Sequence, residues 1–539
     1  MMKNSVAGLA AALVLAACGG TGPADMTTPE VAAEPSLLVD SWPAKTLPEL
    51  SDALAAGEVT SVELTQAYLD RIALVDPHLN AILALNAGAM TAAEASDARR
   101  SAGEALGPLD GLPILLKDNI ETADEGLPTT AGALALRENV TDRDSPLVAG
   151  LRDSGAIILG KTNLSQWANF RSEDSISGWS ALGGQVRNPH VLDRSPCGSS
   201  SGSGAAAAAS LAAGTVGTET NGSVICPSNV NGVVGIKPTV GLVSQQHIVP
   251  ISHSQDTAGP MTKTVRGGAM MLSAMATSDD TDFSAGLSAD ALSGQRIGVL
   301  RFAEGSNNDI KAAFAEALAT LEAQGAELVD IDSFSPDVEG FWAKSRNVLD
   351  TEFKADLNIY LEGSPADLPV RSLDALIAYN LDHADIELPL FDQSIFDQAN
   401  GTAGLDDPEY LEGLADVQRA TGEMGIDVLL ADNTVVAIVA PSGPVASHID
   451  PVNGDVWPSW AGAGYLAAIA GYPNVTVPMG DVHGVPIGIS FMASANQDAT
   501  VIELAYAYEQ ASGKRIDPQF LPSDEERPEI KAAMSPLER

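Results

Sequence analysis

Positive charge is what this 539-residue chain has least of: 29 lysines and arginines stand against 71 aspartates and glutamates, a formal net charge of −42. Such a surface repels nucleic acid and anionic headgroups, so a DNA- or RNA-binding role is excluded, while solubility and tolerance of salt are favoured. Histidine is scarce too. The seven are scattered, no HExxH or CxxC pattern occurs, and neither a zinc site nor any other metal or cofactor is expected. Long apolar runs are missing: Val6 to Ala17 holds only about a dozen residues, too few to span a bilayer as a helix. Cysteine is nearly absent, with Cys18, Cys197 and Cys226 the full set. What the chain does have is 45% hydrophobic residues, enough for one large α/β domain or two to three smaller ones.

The N-terminus reads as an export signal. Met1-Met-Lys3 gives a positive start, the apolar run follows, and Leu15-Ala-Ala-Cys18-Gly19 closes it. Small residues before a cysteine look like a bacterial lipobox, which makes Cys18 the expected lipidation site; the alternative is an ordinary signal cut nearby. The chain then divides into a signal at 1–17, a Thr/Pro/Ala/Glu-rich tether at 18–45, a folded domain at 46–520 and a tail at 521–539. This places the protein on the periplasmic side of a bacterial membrane, touching it only through the anchor. The outer membrane is favoured, because Gly19 supplies no retention signal. An oxidising compartment permits a Cys197–Cys226 disulfide, and a pair of buried thiols is an equal alternative.

Periodicity gives alternating elements. Thr60-Ser-Val-Glu63 is a capping box for a helix to about Val75, and residues 90–106 suit an alanine-rich surface helix. Ile114 to Leu116 is a short buried strand that delivers Lys117 at its end. Residues 145–154 read as helix, 156–160 as strand, 205–213 as helix and 232–236 as strand. A helix at 310–324, then strands at 327–331, 428–440 and 485–492, follow. The alternation predicts a central mixed, largely parallel twisted sheet with helices on both faces. Residues 335–425, richer in Asp and aromatics, are expected to form a helical cover that sets substrate specificity.

Two serine-bearing loops carry the chemistry: Pro196-Cys-Gly-Ser-Ser-Ser-Gly-Ser-Gly204 and Gly217-Thr-Glu-Thr-Asn-Gly-Ser223. Thr220, Asn221, Gly222 and Ser223 offer successive backbone N–H groups, and Gly222 allows the tight turn that aims several at one spot. Such a nest can hold the oxyanion of a tetrahedral intermediate, with Ser223 placed to attack the same carbonyl. No G-x-S-x-G elbow surrounds Ser223. A buried Lys117, pushed toward its neutral form, can act as base, with Ser199 relaying the proton. Taken one at a time, these motifs are also compatible with an ordinary Gly-Ser turn and a surface lysine.

The set as a whole resembles the amidase signature family. A Gly-Pro strand ending in Lys117-Asp118, a Gly-Ser-Ser-Gly-rich loop and a Gly-Thr-x-x-x-Gly-Ser loop occur in that order, with Ser199 and Ser223 separated by 24 positions. Lys161-Thr-Asn-Leu-Ser165, Asn188-Pro189, Cys226-Pro227, Asp256-Thr-Ala-Gly-Pro260 and Gly471-Tyr-Pro-Asn-Val-Thr-Val-Pro478 extend the likeness over roughly 48–515. It implies Lys117 as base, Ser199 as relay on a cis peptide bond, Ser223 as nucleophile and Ser200 as a supporting hydrogen-bond partner. The backbone of Thr220, Asn221, Gly222 and Ser223 becomes the oxyanion hole. Glu219 and Asn221 stand where many members carry Asp and Gly, and Cys197 and Ser201 replace glycines. The Gly-Thr-Glu-Thr…Gly-Ser…Cys-Pro wording looks like the peptide amidase branch, which removes C-terminal carboxamides.

The leading expectation is therefore a cofactor-free amidohydrolase acting on a small-molecule or peptide amide, with aryl- and fatty-acyl amides as alternatives. An acidic enzyme suits a neutral or cationic substrate better than an anionic one. The glutaminase component of a tRNA-dependent amidotransferase shares the fold, and the export signal and charge speak against it. An inactive binding lipoprotein is the remaining reading, and the intact Lys117, Ser199 and Ser223 oppose it. The sequence leaves oligomeric state open.

Overall fold

The computed structural model describes residues 41–278, 281–457 and 460–536. The expected signal, Cys18 and most of the tether lie outside these residues. Two strands and their neighbours explain the rest. Pro113–Lys117 (β2) is buried from end to end, as a strand sandwiched between helical layers must be. It runs between Ile157–Thr162 (β3) and Gly214–Glu219 (β6), parallel to both.

Around this trio an 11-stranded sheet is completed. Ile82–Leu85 (β1) pairs antiparallel with β3 at one edge. A separate two-stranded ribbon is made by Trp179–Ser180 (β4) and Gly184–Gln185 (β5). Beyond β6 come Val234–Lys237 (β7), Thr257–Thr262 (β8), Arg296–Leu300 (β9), Glu327–Ile331 (β10), Ala437–Pro441 (β11), Asn474–Val482 (β12) and Val485–Met492 (β13). The order is β1-β3-β2-β6-β8-β7-β12-β13-β11-β9-β10. The sheet is mixed, in a particular way. Its parallel pairings form two blocks, β3-β2-β6 and β11-β9-β10, and the strands between them are antiparallel. Strands drawn from 82 to 492 share one sheet, so this is a single domain.

Helices cover both faces. On β7, a Cβ at Gly235 would strike Ser228, whereas one at Gly268 would strike Ile236. Adjacent strand residues point to opposite sides, so the helices Ile225–Asn231 and Val265–Met275 lie on opposite faces. Leu115, Val216, Ile236, Val475 and Ile489 belong to the continuous core between the layers.

The capping box at Thr60 and Glu63 forms, starting the helix Ser61–Val75. The second helix stops at Ala102, earlier than the pattern suggests, because Gly103 takes the left-handed conformation and ends it. Three boundaries change more. The helix expected at 205–213 begins at Ser201 and ends at Ala208, so it grows directly out of the serine loop. Residues 225–231, which show no helical pattern in sequence, form a helix closed by Gly232 in the left-handed region. Asp427–Asn433 is helical, and only Ala437–Pro441 of the apolar stretch at 428–440 is strand. A short apolar run does not distinguish the two.

Residues 335–425 are a helical cover, led by Phe341–Gly363 and Pro408–Thr421. Trp42–Ala44, at the end of the expected tether, is already packed: Lys263 donates to the carbonyls of Pro43 and Lys45. The C-terminal stretch also docks, with Asp524 paired to Arg194.

Candidate active site

The β2–β6 pairing matches Leu116 with Val216, so Lys117 at the end of β2 arrives beside Thr218 near the end of β6. The carboxyl ends of adjacent parallel strands are where open α/β sheets place their sites. Lys117 Nζ donates to Ser199 Oγ and to Thr218 Oγ1, each at 2.8 Å. Asn119 Nδ2 donates to the same Thr218 hydroxyl at 3.0 Å. Lys117 is fully buried, and burial pulls it from 10.5 down to about 7 against the charges of Asp256 and Glu219.

A lowered lysine is not distinctive by itself. Lys161, Lys237 and Lys263 are also lowered by burial. Lys161 donates to Ile120 O and Thr129 Oγ1, Lys237 to Pro238 O, and Lys263 to the chain near its start. Only Lys117 among these meets a serine of the two loops. Geometry selects it, not titration.

The serine loop enters the site through Gly198–Ser199, whose peptide bond is cis as the resemblance implies. A Cβ at Gly198 would collide with Ser165 Oγ and come within 2.9 Å of Asn169 Nδ2, so the loop needs glycine there. Ser200 ties the two loops together. Its N–H donates to Ser223 O at 3.2 Å, and its hydroxyl donates to Thr218 O and accepts from Thr218 N–H. A Cβ at Gly217 would lie 2.7 Å from that hydroxyl, which keeps this position small. The disulfide question is settled by contact: Cys197 and Cys226 are bonded, linking the segment before Ser199 to the one after Ser223.

The second loop turns at Gly222, φ +85°. Glu219 accepts from the N–H groups of Val224 and Ile225, fixing the loop's exit into the helix that follows. Thr220 Oγ1 donates to Asp256 at 2.6 Å, and Asp256 also accepts from Ile251 and Ser252 N–H. Burial raises Asp256 to about 6 despite these bonds. Thr220, Asn221, Gly222 and Ser223 all line one cavity of about 560 Å³, together with Gly198. Ser223 is 8% exposed, at the cavity wall, whereas Ser199 behind it is fully buried.

Sequence reasoning missed Thr218, Asn119 and the supporting role of Asp256. Asn119 carried a faint signal, two positions beyond Lys117. Thr218 and Asp256 stand inside quoted motifs, but nothing local assigned them a role, since their partners lie far away in sequence. Among the described residues no group of three His, Cys, Asp or Glu side chains is arranged to hold a metal.

The match to known proteins now has a structural basis. The amidase family model covers residues 63–502, most of the chain. The chain belongs to the amidase family. It is an enzyme acting on C–N bonds other than peptide bonds, and its fold is the amidase signature fold. A peptide amidase from Stenotrophomonas maltophilia has the same fold, with a TM-score of 0.83 and 44% identity over 88% of this chain and 98% of that one. A probable amidase of Arabidopsis thaliana is 37% identical over 500 residues, 88% of this chain and 91% of the relative. A putative amidase of Schizosaccharomyces pombe is 32% identical over 514 residues, 88% of this chain and 86% of the relative.

Proposed function

We propose that this amidase hydrolyses carboxamides through an acyl-enzyme on Ser223, with Ser199 and Lys117 as its proton relay. The observation that carries this reading is the buried Lys117 amine 2.8 Å from Ser199 Oγ, beside the loop whose Ser223 opens onto the cavity. Ser223 Oγ attacks the amide carbonyl carbon while its proton passes to Ser199, and the Ser199 proton passes to neutral Lys117. The tetrahedral oxyanion is held by the backbone N–H groups of Thr220, Asn221, Gly222 and Ser223. The relay then protonates the leaving nitrogen, the C–N bond breaks, and ammonia or an amine departs. Water, deprotonated by the same relay, cleaves the ester and restores Ser223.

Peptide C-terminal amides are the favoured substrates, supported by the likeness to a peptide amidase and the shared Gly-Thr-Glu-Thr…Gly-Ser…Cys-Pro wording. Ammonia release from amidated peptides and from aliphatic and aryl amides, run beside Ser223→Ala, tests this directly. Release from peptide amides that vanishes in the variant supports the whole reading. Release from other amides alone overturns the substrate class, and turnover that survives Ser223→Ala overturns the mechanism. Export as a lipoprotein anchored at Cys18 is part of the same reading, and rests on the Leu15-Ala-Ala-Cys18 pattern. Labelled palmitate should enter the wild-type protein and not Cys18→Ala.

A further inference from the structure

The cavity has a marked character. Its lining includes two carboxylates, Glu219 and Asp455, and among the described residues no lysine, arginine or histidine. Five aromatic side chains line it as well: Phe170, Trp342, Trp457, Trp460 and Tyr465. Trp342 and Tyr465 have ring centroids 5.1 Å apart, and Trp457 and Trp460 meet edge to face at 5.9 Å. The two carboxylates differ. Glu219 is 2% exposed and spends one oxygen on the N–H groups of Val224 and Ile225.

Asp455 is only partly buried and faces the cavity. Its oxygens accept from Ser177 N–H at 3.0 Å and from Ser177 Oγ, and the Ser177 hydroxyl in turn accepts from Asn169 Nδ2 at 3.1 Å. These bonds fix the direction of the carboxylate but use one lone pair on each oxygen, so each retains another. Burial raises the Asp455 carboxyl, the Ser177 bonds oppose this, and no cation among the described residues contributes. Asp455 is also close to the chemistry. A Cβ at Gly198 would lie 3.1 Å from Ser177 Oγ, so a single side chain separates Asp455 from the Gly198–Ser199 peptide.

An uncompensated carboxylate among exposed indole faces is a recognition surface for a cation, through charge and cation–π attraction together. We propose that the cavity selects amides bearing an ammonium or guanidinium group within a few bonds of the scissile carboxamide, with Asp455 as its charge partner and Trp460 across its face. This inference rests on reading the cavity as an amide-hydrolysing site. The cation has two possible sources in a peptide amide: the side chain of its last residue, or the free α-ammonium of an amino-acid amide.

The test compares kcat/KM for N-acetyl-lysine amide with N-acetyl-norleucine amide, which has the same four-carbon side chain without the ammonium group. N-acetyl-glutamate amide, and leucine amide with and without its acetyl group, complete the set. The cationic member of at least one pair should be favoured by about tenfold, the scale of a single partly desolvated charge contact. The lysine pair identifies a side-chain cation, and the leucine pair an α-ammonium. Asp455→Asn should bring the favoured ratio close to one. A ratio is indifferent to the fraction of variant that folds, because both substrates see the same active enzyme. Trp460→Leu, at a residue 54% exposed, should lower it about threefold without touching Ser177. Equal rates in wild type, a preference for glutamate amide, or a preference that persists in both variants would overturn the proposal. If no amide is turned over, the hydrolytic reading fails separately. Calorimetric binding of the same pairs to Ser223→Ala then decides: preferential binding of the cation supports the inference, and equal binding overturns it.

Discussion

Lys117 Nζ stands 2.8 Å from Ser199 Oγ and 2.8 Å from Thr218 Oγ1, so one buried amine joins the two serine-bearing segments. Those segments are also joined by Ser200 N–H to Ser223 O, by the Ser200 hydroxyl to the Thr218 backbone and by the Cys197–Cys226 bond. Lys117, Thr218 and the disulfide each give a separate expectation.

Lys117 must be neutral to accept a proton, and burial brings its titration to about 7. The neutral fraction grows with pH, so kcat/KM should rise through about 7 and level off above it. Lys117→Met should lower kcat by about 10²- to 10⁴-fold and abolish that limb. The same shift predicts a stability trend. Between about 7 and 10.5 the unfolded chain binds the proton that the folded chain releases, so this site adds stability as pH rises across that window. Melting curves of wild type and Lys117→Met across the window check the sign: the wild-type melting temperature should rise relative to that of the variant as pH increases.

Thr218→Val removes the hydroxyl that accepts from Lys117 and from Asn119. That hydroxyl favours the charged amine, so its loss should move the activity limb to lower pH. Loss of positioning should also lower kcat by about tenfold. A pH–rate profile reads both effects.

The disulfide closes a loop between positions 29 apart. Chain-entropy reasoning gives about 3–4 kcal/mol for a loop of this size. Cys197→Ala/Cys226→Ala should therefore unfold at distinctly lower urea. It should also lose activity at urea concentrations where the wild type is still native, because the bond flanks both Ser199 and Ser223.

The cover is held to the second loop's support by ionisable contacts. Glu352, on the helix Phe341–Gly363, accepts from Ser252 Oγ, Ser254 and Tyr410, and His253 beside it pairs with Asp356 at 2.9 Å. Hydrogen bonding to Asp356 raises His253 above 6.5, and Glu352 and Asp256 add to the effect. A raised folded value means the stabilisation is complete below 6.5 and is lost as pH climbs through the folded value. His253→Gln should lower the melting temperature at pH 6 and leave it unchanged near pH 9.

How much of this was legible in sequence follows from which contacts are local. The Thr60 capping box, the strand that ends in Lys117 and the two serine loops are short patterns whose physics acts within a few residues, and all three stand where those patterns put them. The helix Ile225–Asn231 was not legible, because Glu219, which caps it, lies in the preceding strand and reaches it only once the loop has turned. The 428–440 run misled for a related reason: its apolar residues suit helix or strand, and only packing beside β9 and β13 assigns Ala437–Pro441 to the sheet.

The sequence by itself determined the chemistry on offer: lysine and serines in family order, an acidic surface, and no constellation for metal or nucleic acid. Tertiary structure alone decided that Cys197 meets Cys226, that Thr218 and Asn119 share Lys117's surroundings, and that Asp455 faces the cavity among indoles. These are contacts between residues tens to hundreds of positions apart. Strand order and register bring them together, and neither is written in any local pattern.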